Sequence, residues 1–421
     1  MRHVFDRIHG DIVLSSFLTH FLDLPQVQRL AHIKQLGGCS FVYPSATHTR
    51  LEHSIGVCHL SRLACEKLGI RGRMSDLVQL AGLLHDVGHG PFSHTTELAL
   101  KTDHEQAAVR LCEEWATTKE GGVSPAEWKI VSGCINGNGL GGAYEIVHSR
   151  RTGVDVDKLD YLARDAHAVF GMTNAIHIDR VLASMRLDEN GFVVFLDWVA
   201  GDIVDLFHLR ARLHSRVYQH RSVLLVEKVL EGLLQCFRED VEEGDIPPVH
   251  WNDAHVLFSP TEDARALQAR RLLLTHQWKK KAESITVCVE MVLRCPDCHH
   301  SVESEDAFCS HCGRKAGTDG WVQCTHLPSS NEDVTVARVQ MGTWCERLKR
   351  YDPLANVSFV NEEMEGVAVS SKAFFVPRVT SVSLVHFYSP LGTQQMVKWK
   401  QFLTRVPHKL VVDEEDFFLS L

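Results

Sequence analysis

A histidine and an aspartate stand next to each other in an apolar stretch, LAGLLHDVGH, at His85 and Asp86. The run from Asp76 to His85 is apolar enough to form a buried helix. Burying an imidazole and a carboxylate is costly unless something charged compensates for their lost hydration. A divalent cation would do so, and a mixed His/Asp ligand set suits Fe, Mn, Zn or Mg. A structural His–Asp hydrogen bond between two helices is the alternative.

Further imidazoles close to this pair favour the metal site. His89 lies one helical turn after the histidine of the pair, His94 follows a Gly-Pro turn, and His104 opens DHEQ. His53 in RLEHS and Asp157 in VDVDKLD add two more side chains of the metal-ligating type. A structural His–Asp pair would not require several imidazoles around it.

Two segments carry polar side chains at the spacing of one helix face. The aligned residues are Asp157, Tyr161 and Asp165 with Lys158 beside them, and Arg210, His214 and Tyr218 with Gln219 beside them. Such a face is costly to bury without a ligand, and a triphosphate with its sugar would use both sets. A solvated helix surface is the alternative for either set.

The chain changes character after about residue 240. Residues 1–240 are mostly helical in periodicity, including 202–237, and capping boxes predict helix starts at Arg50 and Pro125. The glycine-rich segment 133–143 predicts a flexible turn, because it lacks the Lys-Ser/Thr ending of a phosphate loop. The segments VSFV, GVAVS and SVSLVHFYS near the other end are typical of strands. We therefore predict a mainly α protein, with a helical core followed by a small α+β lobe.

Two CxxC pairs lie ten residues apart, at Cys295, Cys298, Cys309 and Cys312. Four thiolates at this spacing predict a structural zinc ribbon. Two disulfides are the alternative, which an odd total of 13 cysteines and a start without a signal peptide disfavour. Zinc ribbons often bind nucleic acid or protein, so nucleic acid is a candidate partner.

Charge and hydropathy limit the partners. The net charge is −9, from 53 acidic and 44 basic residues, which argues against nucleic-acid binding as the main task. No apolar run approaches the ~18 residues that span a bilayer. We therefore expect no membrane association and an intracellular protein, in the nucleus or cytosol, with an organelle left open.

The motifs together resemble the HD superfamily of metal-dependent phosphohydrolases, and more closely the SAM-and-HD-domain deoxynucleoside triphosphate (dNTP) triphosphohydrolases. The resemblance rests, in chain order, on VFDRIHGDIVL, DLPQVQRLAHIKQLGG, YPSATHTRLEHSIGV, QLAGLLHDVGHGPFSH, YEIVHSRRTGVDVDKLDYLARDAH and LHSRVYQHR. It implies an HD-domain catalytic core at 1–285, a zinc-ribbon insertion at 286–325 and a C-terminal α+β lobe at 326–421. No SAM module is expected, since the HD part begins near residue 3.

The resemblance also implies a role for each motif residue. The metal ligands would be His53, His85, Asp86 and Asp157. Phosphate contacts and proton chemistry would come from His89, His94 and His104, with Glu97 where the family usually has Asp. Arg50, Lys158, Arg210 and Arg164 would neutralise the triphosphate. The sugar and base site would be formed by Gln35, Leu36, Tyr161, Asp165, His214, Tyr218 and Gln219.

The implied reaction is metal-dependent hydrolysis of dNTPs to deoxynucleoside and inorganic triphosphate, which would control dNTP pools. His94 would protonate the leaving 5′-oxygen. The alternatives are an HD phosphodiesterase or nucleotidase acting on another phosphoester, or a nucleic-acid-binding protein that uses the zinc ribbon.

Vertebrate members of the family bind an activating guanine nucleotide and then tetramerise. Asp23, Gln28 and Arg180 match parts of the activator sites, whereas His3 and Ala31 stand where basic residues are expected. We therefore predict altered or lost activation, and a homo-oligomer that is a dimer or a tetramer.

Overall fold

The computed structural model describes residues 1–139, 141–238, 247–277, 353–354 and 356–369 with their side chains, and nine strands between residues 282 and 412 by their backbone alone. The described part of the chain divides into two compact units. The first comprises residues 1–209, 222–278 and 357–369, and the second comprises 210–221, 279–356 and 370–421. The predicted zinc ligands Cys295, Cys298, Cys309 and Cys312 lie outside the described residues.

Helices dominate the described residues, which confirms the predicted mainly α fold. The α-helices are α1 Ser16–Leu22, α2 Pro25–Gln28, α3 Arg50–Lys67, α4 Arg73–Leu84, α5 His94–Leu100, α6 His104–Thr118, α7 Pro125–Asn136, α8 Val156–Phe170, α9 Ile178–Ser184, α10 Ala200–Leu213, α11 Arg221–Gln235, α12 Asp253–Phe258 and α13 Ala264–Leu274.

Both predicted capping boxes are present. The Thr49 backbone N–H donates to Glu52 Oε2 (2.8 Å) and the Thr49 side chain accepts from the Glu52 backbone, so α3 begins at Arg50. Ser124 and Glu127 make the same pair of bonds at the start of α7. These reciprocal bonds satisfy backbone groups that have no partner inside the helix, which is why the sequence sets both starts locally.

Two segments differ from the sequence-based expectation. The helical run expected over 202–237 is interrupted, because α10 ends at Leu213 and a π-helical turn, His214–Tyr218, precedes α11. The glycine-rich segment 133–143 was expected to be a turn throughout. Its first four residues instead complete α7, which ends at Asn136 and is followed by the capping residue Gly137 in the left-handed conformation (φ 60°).

Five small sheets accompany the helices. Their strands are β1 Arg2–Asp6, β2 Gly10–Leu14, β3 Met185–Leu187, β4 Val193–Leu196, β5 Ala282–Glu290, β6 Leu293–Arg294, β7 Ser301–Val302, β8 Val322–Gln323, β9 Val334–Gln340, β10 Thr343–Cys345, β11 Arg350–Asp352, β12 Phe359–Val360, β13 Gly366–Val367, β14 Ser381–Pro390 and β15 Val411–Val412. The sheet orders are β1-β2, β13-β12-β4-β3, β15-β5-β14-β9, β7-β6-β8 and β10-β11.

Within the first unit, β12 runs parallel to β4, with Phe359 opposite Phe195, although the two strands are far apart in sequence. Within the second unit, β14 is the centre of an antiparallel sheet and pairs with β5 on one side and β9 on the other. Where the second unit is described, strands therefore form most of its regular structure. The predicted domain bounds stay predictions.

Glycines allow α3 to approach its neighbours closely. A Cβ on Gly82 of α4 would lie 2.7 Å from Ser61 Oγ, and a Cβ on Gly56 of α3 would overlap the Asp160 carboxylate of α8. α4 and α8 both pack against α3 at these points. The polar side chains at the end of α4 and at the start of α8 are therefore brought close to α3. No helix among the described residues combines the length and apolarity that a bilayer span requires.

Candidate metal centre

Four side chains from three helices meet in the first unit. His53 comes from α3, His85 and Asp86 follow α4 directly, and Asp157 lies in the first turn of α8. His53 Nε2 lies 3.1 Å from His85 Nε2 and 3.0 Å from Asp157 Oδ1. Asp86 Oδ1 lies 3.4 Å from His85 Nε2. The structure thus brings together all four predicted metal ligands.

The outer nitrogens of both imidazoles are bound to acceptors. His53 Nδ1 lies 2.7 Å from Asp160 Oδ2, and His85 Nδ1 lies 2.8 Å from the Gly82 carbonyl oxygen. A carbonyl only accepts, so His85 Nδ1 carries the proton and its Nε2 presents a lone pair. Nδ1 donation to Asp160 orients the His53 ring in the same sense. This is the arrangement by which outer partners orient metal-ligating histidines.

The charges around His53 fit a cation. Burial lowers the pKa of His53, but hydrogen bonds to Asp157 and Asp160 outweigh it and raise that pKa to about 10. Burial likewise opposes ionisation of Asp157, and the hydrogen bond with His53 and the nearby His85 ring hold its pKa well below the usual range. The carboxylates therefore favour positive charge between them, which either a proton on His53 or a divalent ion would supply. The Nε2 atoms of His53 and His85, 3.1 Å apart beside the carboxylates of Asp86 and Asp157, form a ligand set that fits a divalent ion.

Arg50 fixes Asp86. Its guanidinium donates to Asp86 Oδ2 (2.5 Å) and to Ser93 Oγ (2.8 Å), and the side chain is buried. This pairing, with the charge of nearby imidazoles, outweighs burial and holds the pKa of Asp86 well below its usual range. Arg50 was predicted to bind phosphate, and that role stays a prediction.

A second group of imidazoles adjoins the metal centre. Glu97 accepts from His94 Nδ1 (2.7 Å) and contacts His104 Nδ1. The rings of His89 and His104 stack at 3.8 Å, and His89 Nε2 lies 3.4 Å from Asp86 Oδ1. Glu97 thus links two imidazoles, and its extra methylene relative to Asp does not prevent this.

The charges in this second group support each other. Burial opposes ionisation of Glu97, but hydrogen bonds from His104 and His94 hold its pKa well below the usual range. Burial also disfavours charge on His104, and the Glu97 carboxylate overcomes it and raises the pKa of His104. His94 is two-thirds exposed at its side chain, whereas His89 is fully buried. Of the four, His94 is the residue best placed to meet a substrate.

The predicted substrate residues of the first unit have mixed surroundings. Gln35 is buried, and its Oε1 has no hydrogen-bond partner within the described part of the chain. Lys158 donates to Asp155 (2.7 Å) and its side chain is 17% exposed. Asp165 is buried and lies 2.7 Å from His48 Nε2. The Tyr161 ring faces the His53 ring edge-on at 6.5 Å.

Leu36 lies between Gln35 and Gly37 in the loop before the 3-10 helix Gly37–Phe41. Arg164, by contrast, is fully buried and paired with Asp6 and Asp160 at 2.8 Å. A phosphate contact by Arg164 would require breaking both buried pairs, and its predicted role stays a prediction.

The remaining predicted substrate residues belong to the second unit. Arg210 lies in the last turn of α10, and His214, Tyr218 and Gln219 occupy the π-helical turn and the residue after it. The rings of His214 and Tyr218 meet edge-on at 4.9 Å. Their predicted roles stay predictions.

The three residues that match activator positions have protein partners. Asp23 pairs with Arg2 through two bonds of 2.5 and 2.9 Å, and Gln28 donates to the Leu22 carbonyl. Arg180 donates to Asp202 and lies over the Trp198 ring. Arg180 also lines a cavity of about 470 Å³ whose other walls include histidines, and neither Asp23 nor Gln28 is among its lining residues.

Sequence reasoning missed the residues that support the ligands. Asp160 binds His53, His9 and Arg164, and Asp6 binds Arg164. The i, i+4 spacing of Asp160 and Arg164 on α8 was a signal for an ion pair. Nothing in the sequence linked either to His53, which is 107 residues away from Asp160.

Comparison with known proteins agrees with this geometry. The family model "HD domain" matches residues 50–125, which contain His53, His85, Asp86 and the second imidazole group but not Asp157. The deoxynucleoside triphosphate triphosphohydrolase SAMHD1 of Homo sapiens is 36% identical over 276 residues, covering 55% of this chain and 44% of that protein. The Danio rerio protein of the same name is 36% identical over 274 residues, covering 53% and 43%.

The Dictyostelium discoideum homologue of the same description is 34% identical over 236 residues, covering 51% of this chain and 45% of its own length. The chain thus spans about half the length of the curated relatives it matches. These findings confirm the resemblance to HD-domain dNTP triphosphohydrolases.

Proposed function

We propose that this chain is a metal-dependent phosphohydrolase that cleaves dNTPs to deoxynucleoside and inorganic triphosphate. The observation that carries the proposal is the convergence of His53, His85, Asp86 and Asp157, with two imidazole Nε2 atoms 3.1 Å apart and facing carboxylates. The similarity to proteins named as dNTP triphosphohydrolases supports the same reaction.

His53, His85, Asp86 and Asp157 would hold the divalent ion, whether Fe, Mn, Mg or Zn. When bound, such an ion stabilises negative charge on phosphate oxygens and makes water more acidic. The protein's own contribution is orientation. Asp160 and the Gly82 carbonyl fix the two imidazole rings, and Arg50 fixes Asp86.

His94 would protonate the 5′-oxygen of the leaving deoxynucleoside. Its Nδ1 donates to Glu97, which leaves Nε2 to face the substrate, and the carboxylate stabilises the charged ring. Glu97 also accepts from His104 Nδ1 and raises the pKa of His104, so a second imidazole that can carry a proton lies near His94. This group would supply the proton and bind phosphate oxygens.

The buried Gln35 Oε1 supports a substrate pocket in the loop that contains Gln35 and Leu36. A buried carbonyl oxygen without a partner is costly, and a ligand donor would satisfy it. Lys158, Tyr161 and Asp165 lie on α8, the helix that carries the ligand Asp157, which supports their assignment to the substrate. Arg210, His214, Tyr218 and Gln219 are assigned to the substrate by resemblance alone.

Several finer statements belong to the same proposal. A guanine nucleotide could act as activator through Asp23, Gln28 and Arg180, with altered strength because His3 and Ala31 replace basic residues. Assembly into a dimer or tetramer, control of dNTP pools, a nuclear or cytosolic location, and a zinc ribbon that binds nucleic acid all stay predictions.

A product assay tests the reaction. The purified chain is incubated with each dNTP and each rNTP, with Mg, Mn or Fe, and with or without GTP, and products are separated by ion exchange. We expect deoxynucleoside and intact triphosphate from the dNTPs and no turnover of the rNTPs. Asp86→Ala should abolish turnover, while Asp205→Ala, at a side chain 75% exposed on α10, should retain it.

Other products would point to other functions. Monophosphate with pyrophosphate would keep the metal centre but replace the reaction by a different phosphoester hydrolysis. Absence of turnover with every metal, while nucleotide or nucleic acid still binds, would favour a binding protein. Turnover that persists in Asp86→Ala would show that the metal assignment is wrong.

A further inference from the structure

A carboxylate outside the segment matched by the HD domain joins two loops of the candidate site. Asp253 opens α12 and is 6% exposed. Its Oδ1 accepts the Phe92 backbone N–H at 2.7 Å, and its Oδ2 accepts the Lys34 backbone N–H at 3.1 Å. These donors are 161 and 219 residues from Asp253 in sequence, so one side chain connects three remote segments.

The two loops also contact each other directly. Ser93 Oγ donates to the Lys34 carbonyl oxygen at 2.7 Å. Gly37 has φ +50°, and a Cβ there would lie 2.6 Å from the Phe92 carbonyl oxygen, closer than real Cβ atoms approach. The loop that contains Gln35 and Leu36 is therefore pressed against the turn that precedes His94.

That turn is strained. Phe92 and Ser93 both have positive φ, 57° and 56°, which residues with side chains rarely adopt. Strained backbone persists only where the surrounding contacts over-determine it. Here those contacts are the Asp253–Phe92 bond and the hydrogen bonds of Ser93 with Arg50 and Lys34.

We propose that Asp253 is a positioning residue that locks the loop 34–38 to the turn 90–94. By holding both backbones, it would fix the distance between the substrate pocket at Gln35 and the proton donor His94. The roles of Gln35 and His94 rest on the proposed function, whereas the lock itself rests on geometry alone. Burial raises the pKa of Asp253 to about 6, against the lowering effect of the Phe92 and Lys34 amides. Despite the cost of burial, each oxygen of this carboxylate accepts one backbone N–H, one from each loop.

The test compares Asp253→Ala and Asp253→Asn with Asn252→Ala. Asn252 caps the same helix by accepting the His255 N–H at 3.1 Å, so its loss weakens α12 while leaving the Asp253 bonds in place. Hydrogen exchange is followed by mass spectrometry in peptides covering 33–38 and 90–95. Metal content, kcat and KM for dNTPs, and the ratio of dNTP to rNTP turnover are measured on the same samples.

In Asp253→Ala we expect exchange in both peptides to be about ten-fold or more faster, because a charge-assisted bond to each amide is lost. Asp253→Asn keeps one acceptor oxygen and should be intermediate, and it serves alone if the alanine variant does not fold. kcat should fall about 10- to 100-fold, and the ratio of dNTP to rNTP turnover should decrease, while the metal content stays unchanged. Asn252→Ala should change none of these.

Unchanged exchange in both peptides, or equal changes in Asn252→Ala, would overturn the lock. Faster exchange with unaltered kcat and sugar preference would overturn its positioning role. If the wild-type chain hydrolyses no dNTP, the proposed function fails, and the exchange data still decide whether Asp253 joins the two loops.

Discussion

The Nε2 atoms of His53 and His85 lie 3.1 Å apart, while the opposite nitrogen of each ring faces an acceptor. If each ring carries its proton on Nδ1, the two Nε2 lone pairs repel each other unless a proton or a metal ion lies between them. The ring orientation is set from outside the ligand set, by Asp160 for His53 and by the Gly82 carbonyl for His85. Substituting a group that orients one of these rings, such as Asp160, should therefore weaken metal binding even though the ligand side chains themselves are unchanged.

The first prediction concerns Asp160. In Asp160→Asn the amide oxygen still accepts from His53 Nδ1, but the negative charge behind the ring is lost. Loss of such an outer partner typically weakens metal affinity about 10- to 100-fold, and we expect a change of that size in the Kd for Mn²⁺. The Kd is measured by electron paramagnetic resonance on the metal-depleted protein.

Asp6→Asn is the matched control for Asp160→Asn. Asp6 pairs with the same arginine, Arg164, at 2.8 Å, and has no contact with His53 among the described hydrogen bonds. Its substitution should lower stability and leave the Kd for Mn²⁺ close to wild type. Equal affinities in both variants would contradict the role of Asp160.

The second prediction concerns Glu97. Glu97→Gln can accept from only one of the two imidazole N–H groups through its amide oxygen, so the charged form of His104 loses support. We expect kcat to fall roughly 10²- to 10⁴-fold, which is the range of general acid–base contributions, with metal content unchanged. Glu105→Gln, on the neighbouring helix α6, should behave as wild type. A raised KM at normal kcat would contradict the role of Glu97 in proton transfer.

Local features of the sequence were sufficient for part of this structure. Thr49 and Glu52 act within three residues of each other, so the start of α3 at Arg50 could be predicted without tertiary information. The convergence of the four candidate ligands could be predicted because a buried histidine–aspartate pair needs compensation wherever it folds, and because the family motifs fix the order of the others.

Contacts between remote segments could not be predicted in this way. Asp253 meets loops 161 and 219 residues away, and no local pattern marks it. Arg50 and Arg164 were assigned to phosphate through the family resemblance, and nothing local in the sequence indicated that both lie buried against carboxylates of the protein. Charge alone does not say whether the partner is a substrate or a side chain, because that depends on which helices pack together.

A third prediction addresses stability and pH. A hydrogen bond from Arg73 and one from the Ser124 backbone lower the pKa of Glu127 to about 2. An unfolded glutamate titrates near 4.3, so the ionised side chain stabilises the fold fully above about pH 4.3. This contribution is lost as pH falls from there to about 2.

Glu127→Ala removes half of the capping box and should cost about 0.5–1.5 kcal/mol at pH 7, the net value of a typical hydrogen bond. The difference from wild type in the free energy of unfolding, measured with urea, should shrink as pH falls below about 4. Glu114→Ala, at an exposed position of α6, should show neither effect. A difference that stays constant down to pH 3 would contradict the assignment.

The last prediction compares two helical glycines. An alanine Cβ at Gly56 would overlap Asp160 Oδ1 and lie 2.5 Å from Arg164 Nη2, so the buried ion pair of α8 would have to separate. Breaking a buried pair costs about 3–5 kcal/mol, and the displaced Asp160 would no longer orient His53.

Gly232 of α11 is exposed with nothing within 4 Å of its Cβ position, so Gly232→Ala should instead stabilise the helix by about 0.5–1 kcal/mol. Urea unfolding and metal content are measured on both. If Gly56→Ala retained wild-type stability and metal, α3 and α8 would not approach each other as closely as the Asp160–His53 contact requires.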